Sequence, residues 1–173
     1  MTPSPNRAIG VLRPICALWA VLGGMVLISI MAITTINASA FLADRIASGF
    51  GGNVAGLSGY EDFVSLAIAG AVTSFFPWCQ LQRGHLAVQL FKGRGSDGLW
   101  RRITLLWDLL LIATVAFLAW MLFQGALEAR ADGNQTAILG WPVWQFMLPP
   151  VLSLALWSVI ATTQLFGKND AVA

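Results

Sequence analysis

Charge is what this sequence has least of. Asp, Glu, Lys and Arg together make up 10% of its 173 residues, against roughly 25% in soluble globular domains. With 57% hydrophobic residues as well, the composition points away from a water-soluble body. Cysteine and histidine are nearly absent. Cys16 and Cys79 are the two cysteines and His85 is the one histidine. None stands at metal-ligand spacing, so zinc, haem and redox chemistry lack their ligands. The cysteines read as small apolar packing residues. His85, beside Arg83 in a turn, reads as a hydrogen-bonding or headgroup-contacting residue. There is no basic tract either: the net charge is +2, and the basic residues stand at the ends of apolar runs. A nucleic-acid partner would need them concentrated on one face.

What the chain does have is long apolar runs. Pro14 to Ala43, Phe63 to Gln82 and Gly133 to Gly167 contain no charged residue, and Ile103 to Leu127 contains only Asp108. About 20 apolar helical residues cross the roughly 30 Å hydrocarbon core of a bilayer. The runs therefore predict an all-α integral membrane protein with four transmembrane helices, at about 14–43, 61–81, 101–127 and 142–166. They use almost all of residues 1–173 as a single membrane domain and leave no room for a soluble catalytic one. Arg7, Arg13 and the run Ala38-Ser39-Ala40 imitate a signal peptide. A signal's apolar region spans only about 7–15 residues, however, so the stretch is read as a retained first span.

The charges orient these spans. With both termini in the cytoplasm, Arg7, Arg13, Arg83, Lys92, Arg94, Arg101, Arg102 and Lys168 fall inside, and only Arg45 and Arg130 fall outside. That is the bias of the positive-inside rule. Trp78, Trp100 and Trp107 then lie near the inner interface, Trp141 and Trp144 near the outer one. The glycine-rich stretch from Ser48 to Gly59 predicts an outer loop. Residues 82–92 carry Leu86, Leu90 and Phe91 at helical spacing, which suits a short amphipathic helix in the inner interface.

Few residues invite a chemical role. Asp108 is the one acid well inside a span. It is either anchored, by the positive start of its helix or by Arg101 two turns back or a basic residue on another helix, or an ion-coupling group, and the anchored reading is preferred. Glu61 and Asp62 open the second span, where acids favour a helix start; they read as caps and interfacial anchors, with a partner contact for Glu61 as the sharper alternative. Ser65, Ala69 and Thr73, widened by Ala67, Gly70, Ala71 and Ser74, form a small-residue face suited to close helix packing, and Ala113, Ala116 and Ala119 form a lesser one. Pro149 and Pro150 predict a bend in the fourth span that shapes its packing surface. The sequons at Asn37 and Asn134 are read as chance.

One stretch has a family look. Glu61 opening the second helix, then Arg83-Gly84-His85-Leu86-Ala87-Val88, then Gly133-Asn134-Gln135-Thr136 and Leu139-Gly140-Trp141-Pro142-Val143-Trp144, occur in an order and spacing that resemble the small membrane subunit of tripartite ATP-independent periplasmic (TRAP) transporters. The likeness runs from about Tyr60 to the end of the fourth span. Gln89 departs from it, since many relatives carry an acid there. The resemblance implies a non-catalytic subunit, without cofactor or metal, in the bacterial inner membrane. It would scaffold a large permease subunit, which holds the Na+ or H+ coupling. It would also help dock a periplasmic solute-binding protein that captures an organic acid. Glu61, Arg83, Gly84, His85, Asp108, Trp141 and Pro142 are then candidate subunit or lipid contacts. A second reading is a small homodimeric transporter that couples to protons through Asp108.

Overall fold

The computed structural model describes residues 5–82 and 97–170. The connecting helix expected over 82–92 lies outside them from Arg83 onward, and so do Arg83, Gly84 and His85 themselves. Among the described residues the fold is all helix: α1 (Pro5–Ser48), α2 (Tyr60–Thr73), α3 (Phe76–Leu81), α4 (Asp97–Ala131) and α5 (Val143–Asp170). No strand forms there; one isolated antiparallel bridge pairs Gln135 with Pro142.

Four segments are long and apolar enough to cross a membrane: Leu12–Ser48, Tyr60–Leu81, Arg102–Ala131 and Val143–Leu165. The first, of 37 residues, is about 55 Å long at 1.5 Å per residue. That exceeds the roughly 30 Å hydrocarbon core, so α1 must tilt or project beyond it. The second joins two helices. Pro77 has no N–H to give the Thr73 carbonyl one turn back, and α2 ends at Thr73. Ser74 and Phe75 nonetheless keep right-handed helical angles, so α3 continues the path of α2. The hydroxyls of Thr73 and Ser74 turn back onto the carbonyls of Ala69 and Ala71, at 2.7 and 2.6 Å.

Packing is led by α4 along α5, while α2 touches both α1 and α5. Of the ten buried hydrophobic residues among those described, five are alanines: Ala67, Ala71, Ala126, Ala129 and Ala161. Bulky residues such as Ile28, Leu106 and Phe117 instead point outward. A bundle in lipid gains nothing by hiding leucine, so small residues go to the contacts, where backbones can approach. The approach is closest at Gly23. A Cβ there would overlap the Ser74 hydroxyl and stand 2.9 Å from the Ala71 carbonyl oxygen. The small-residue face of α2 is thus split: Ala67, Ala71 and Ser74 are buried, whereas Ser65 and Ala69 remain exposed.

Pro149 and Pro150 lie within α5, where they withhold N–H groups from the carbonyls of Gln145 and Phe146. Gly70 of α2 admits them closely, since a Cβ there would be 3.3 Å from the Pro149 Cβ. One turn on, Ser153 donates to the Pro149 carbonyl at 2.8 Å and accepts the Trp19 indole N–H, also at 2.8 Å, tying α1 to α5.

Candidate functional site

The two connections 49–59 and 132–142 share one end of the bundle, and side chains of the helices below hold both. Asn37, 1% exposed within α1, accepts the Leu57 N–H at 2.8 Å through Oδ1. One helical stretch further along, Asp44 accepts the Val54 N–H at 2.9 Å. Asp62, in the first turn of α2, reaches across to the other connection: its Oδ2 accepts the N–H groups of Ile138 and Leu139, both at 2.9 Å. A carboxylate taking two amide protons makes charge-assisted bonds, the stronger kind. Beneath this contact Gly59 has φ 83°, a left-handed angle that glycine adopts readily. Its hydrogen faces Leu139 where a Cβ would be 2.9 Å from Cγ.

The second connection also closes on itself. Thr136 donates its N–H to the Trp141 carbonyl at 2.9 Å, and its hydroxyl accepts the Trp141 N–H at 3.0 Å. The Trp141 ring stacks on Phe146 with centroids 5.7 Å apart and meets Phe63 edge-on at 6.4 Å. Arg130 stands 5.0 Å above the Trp144 ring, a cation–π contact joining the end of α4 to the start of α5.

Toward the other end, α3 and α5 are clasped by side-chain amides. Gln80 donates to Gln164 Oε1 at 2.9 Å, Gln164 donates to the Gln80 carbonyl at 3.0 Å, and Trp157 donates to Gln80 Oε1 at 3.1 Å. Between the two ends, α1, α2 and α5 enclose a cleft of about 350 Å³ lined by Trp19, Val26, Leu66, Gly70 and Pro149 among others. Its lining hydroxyls, Ser29 and Ser74, donate to carbonyls of their own helices, Met25 and Ala71. No group of three or more His, Cys, Asp or Glu able to hold a metal ion occurs among the described residues.

A family model for the DctQ component of tripartite ATP-independent periplasmic transporters matches residues 50–169, which is 120 of the 173 residues. The chain belongs to the DctQ family. No individual curated protein and no solved structure matches it. The protein is thus a small permease component of a TRAP transporter, a multi-pass membrane protein.

The residues singled out in this DctQ chain from sequence fall in different places. Glu61 is exposed beside Asp62, and Trp141, 38% exposed, belongs with Pro142 to the clamped connection. Asp108 is far from them in sequence and place. It is half-buried and engaged by a partner. Its helix starts at Asp97, however, so Asp108 lies about three turns in, beyond the first turn where the dipole acts. Anchoring by the helix start therefore fails as its explanation. Sequence reasoning missed Asn37, Gln80 and Gln164. The signal available for all three was a carboxamide within an apolar run, which in lipid calls for a partner.

Proposed function

We propose that this DctQ subunit scaffolds the large, cation-coupled permease of its transporter and helps dock the periplasmic solute-binding protein that delivers the substrate, an organic acid. It lies in the bacterial inner membrane with both termini in the cytoplasm, so the clamped connections 49–59 and 132–142 face the periplasm. It performs no catalysis, holds no cofactor or metal, and leaves Na+ or H+ coupling to the permease. Family membership gives the frame, and eight basic residues on one side against two on the other support the orientation.

The observation that carries the scaffold role is where the buried polar side chains go. Among the described residues Asn37 holds the 49–59 connection, Ser153 joins α5 to Trp19 of α1, and the Gln80–Gln164 clasp joins α3 to α5, while Ser74 in the cleft wall is satisfied by a carbonyl of its own helix. Polar groups serving a transport path would be left to face the path instead.

Reconstitution tests the reading. The purified chain alone in liposomes moves no solute under any cation gradient, while the chain with its permease and solute-binding protein supports uptake. Cation-driven uptake by the chain alone would overturn the proposal. Retention of the permease on the tagged chain in mild detergent tests the partnership separately, and its consistent loss would count against scaffolding.

A further inference from the structure

Helix α1 is tied to its neighbours at two levels with a gap between them. Away from the two connections, the Trp19 indole bonds Ser153 of α5, and Gly23 meets Ser74 of α2. Toward the connections, Asn37 and Asp44 hold residues that lead into α2. Between these ties lies the cleft of about 350 Å³ bounded by α1, α2 and α5. Its lining runs along α2 from Phe63 to Ser74, about 16 Å at 1.5 Å per residue. The slot therefore averages roughly 5 Å across, about half the width of an α-helix with its side chains. Leu22 and Ser29 of its lining are exposed, so it opens sideways to the surroundings of the bundle.

The chemistry of the lining selects the occupant. Among the described residues that form it there is no Asp, Glu, Lys, Arg or His. Each of its side-chain donors is already used: Trp19 on Ser153, Ser29 on Met25 and Ser74 on Ala71. A water there would lack the two to four polar partners it needs. An empty slot would forfeit the contacts of its whole lining, and the ties at both levels keep α1 from closing it. A helix is too wide. What matches is an occupant one carbon chain wide, uncharged and without hydrogen-bonding groups, and the bilayer around these spans consists of such chains. We propose that the cleft binds one phospholipid acyl chain, laid along the helix axes. The Trp19 and Gly23 contacts close the far end, so the chain enters from the end that bears the connections. In the orientation proposed above it belongs to the outer leaflet, but its binding does not depend on the scaffold role.

The test places the full chain, alone and with its permease, in nanodiscs of phosphatidylethanolamine carrying a diazirine midway along one acyl chain. After transfer to detergent and washing, irradiation and peptide mass spectrometry locate the retained lipid. Val26 and Leu66 of the lining carry at least about tenfold more label than Ile28, the ratio that about 1.4 kcal/mol of preference gives. Ile28 lies at nearly the same depth but is 67% exposed on the outer surface, so it reports bulk lipid. Val26→Phe puts a ring into the slot and brings the label at Leu66 down to the level at Ile28. Equal label at Val26, Leu66 and Ile28 in the parent overturns the proposal, since only bulk contact remains. Label present in the chain alone but lost in the complex also overturns it, because the permease then fills the cleft. Should Val26→Phe fail to fold, Ser29→Phe obstructs the slot from its rim, and undiminished label at Leu66 in either folded variant overturns the proposal too. If the permease does not co-purify, the scaffold reading fails, whereas the label on the chain alone still decides this one.

Discussion

Gln80 and Gln164 hold each other twice, once through Gln80 Nε2 on Gln164 Oε1 and once through Gln164 Nε2 on the Gln80 carbonyl. The second bond matters because it falls on a carbonyl of the last turn of α3, which ends at Leu81. One side chain on α5 therefore bonds both the side chain and the backbone of α3, and Trp157 completes the set by donating to Gln80 Oε1.

Gln80→Leu removes two of these bonds, its own to Gln164 Oε1 and the one it accepts from the Trp157 indole. Interhelical hydrogen bonds in membranes average about 0.6 and reach about 1.7 kcal/mol, so the variant loses about 1–2 kcal/mol. Gln164→Leu costs a similar amount. The double variant loses less than the sum, because each single change already breaks the shared bond. Thermal unfolding of the four proteins in one detergent checks this; strictly additive losses would show that the two amides do not interact.

At the α1–α2 crossing the constraint is steric. Gly23→Ala places a methyl group against the Ser74 hydroxyl and 2.8 Å from the Ser74 Cβ. Overpacking of this kind costs about 1–3 kcal/mol. Adding Ser74→Gly removes both obstructing atoms and restores part of the loss, although the Ala71 carbonyl remains close. Unfolding temperatures of the single and double variants decide it, and a double variant less stable than Gly23→Ala would contradict the packing described.

These contacts mark the limit of what could be read from the sequence. Four apolar runs, the glycine-rich connection and the small-residue character of α2 were legible because each is a local property of composition or spacing. That Ala67 and Ala71 would turn inward while Ser65 and Ala69 stayed outside was not, since both sets share the same helix and the choice lies with α1 and α5. Pro77 was visible, yet its effect on the second run depended on Ser74 and Phe75 keeping helical angles past the break. Asp62 looked like a helix-start acid and also bonds residues 76 and 77 positions away. Pairings over such separations follow from helix packing, which no periodicity encodes. Asp108 shows the converse: its role was argued from a helix start that lies a turn further from it than expected.

Asn37 separates a structural amide from a glycosylation motif. It is buried and holds Leu57, while Ser39 is exposed and bonds only the Thr35 carbonyl of its own helix. Asn37→Ala leaves the Leu57 amide without this acceptor, a loss of about 1 kcal/mol for a part-buried bond. Ser39→Ala changes stability by less than about 0.5 kcal/mol, as exposed substitutions do. Unfolding curves and amide exchange at Leu57 check both. Equal effects from the two variants would refute the assignment.

Asp108 decides between scaffold and self-sufficient carrier. Asp108 is half-buried and has a partner within the protein, and the scaffold reading makes it a structural residue. A carboxamide has the same shape and retains an acceptor oxygen, so Asp108→Asn preserves most contacts of a structural group while abolishing proton exchange. In the full complex the variant therefore keeps most of its substrate uptake and its dependence on the solute-binding protein. A proton-transferring residue would behave otherwise, because such groups contribute factors of about a hundred or more. Uptake measured under an imposed proton gradient, with and without the permease present, distinguishes the two. Loss on that scale, together with uptake by the unmodified chain alone, would move the coupling step into this subunit.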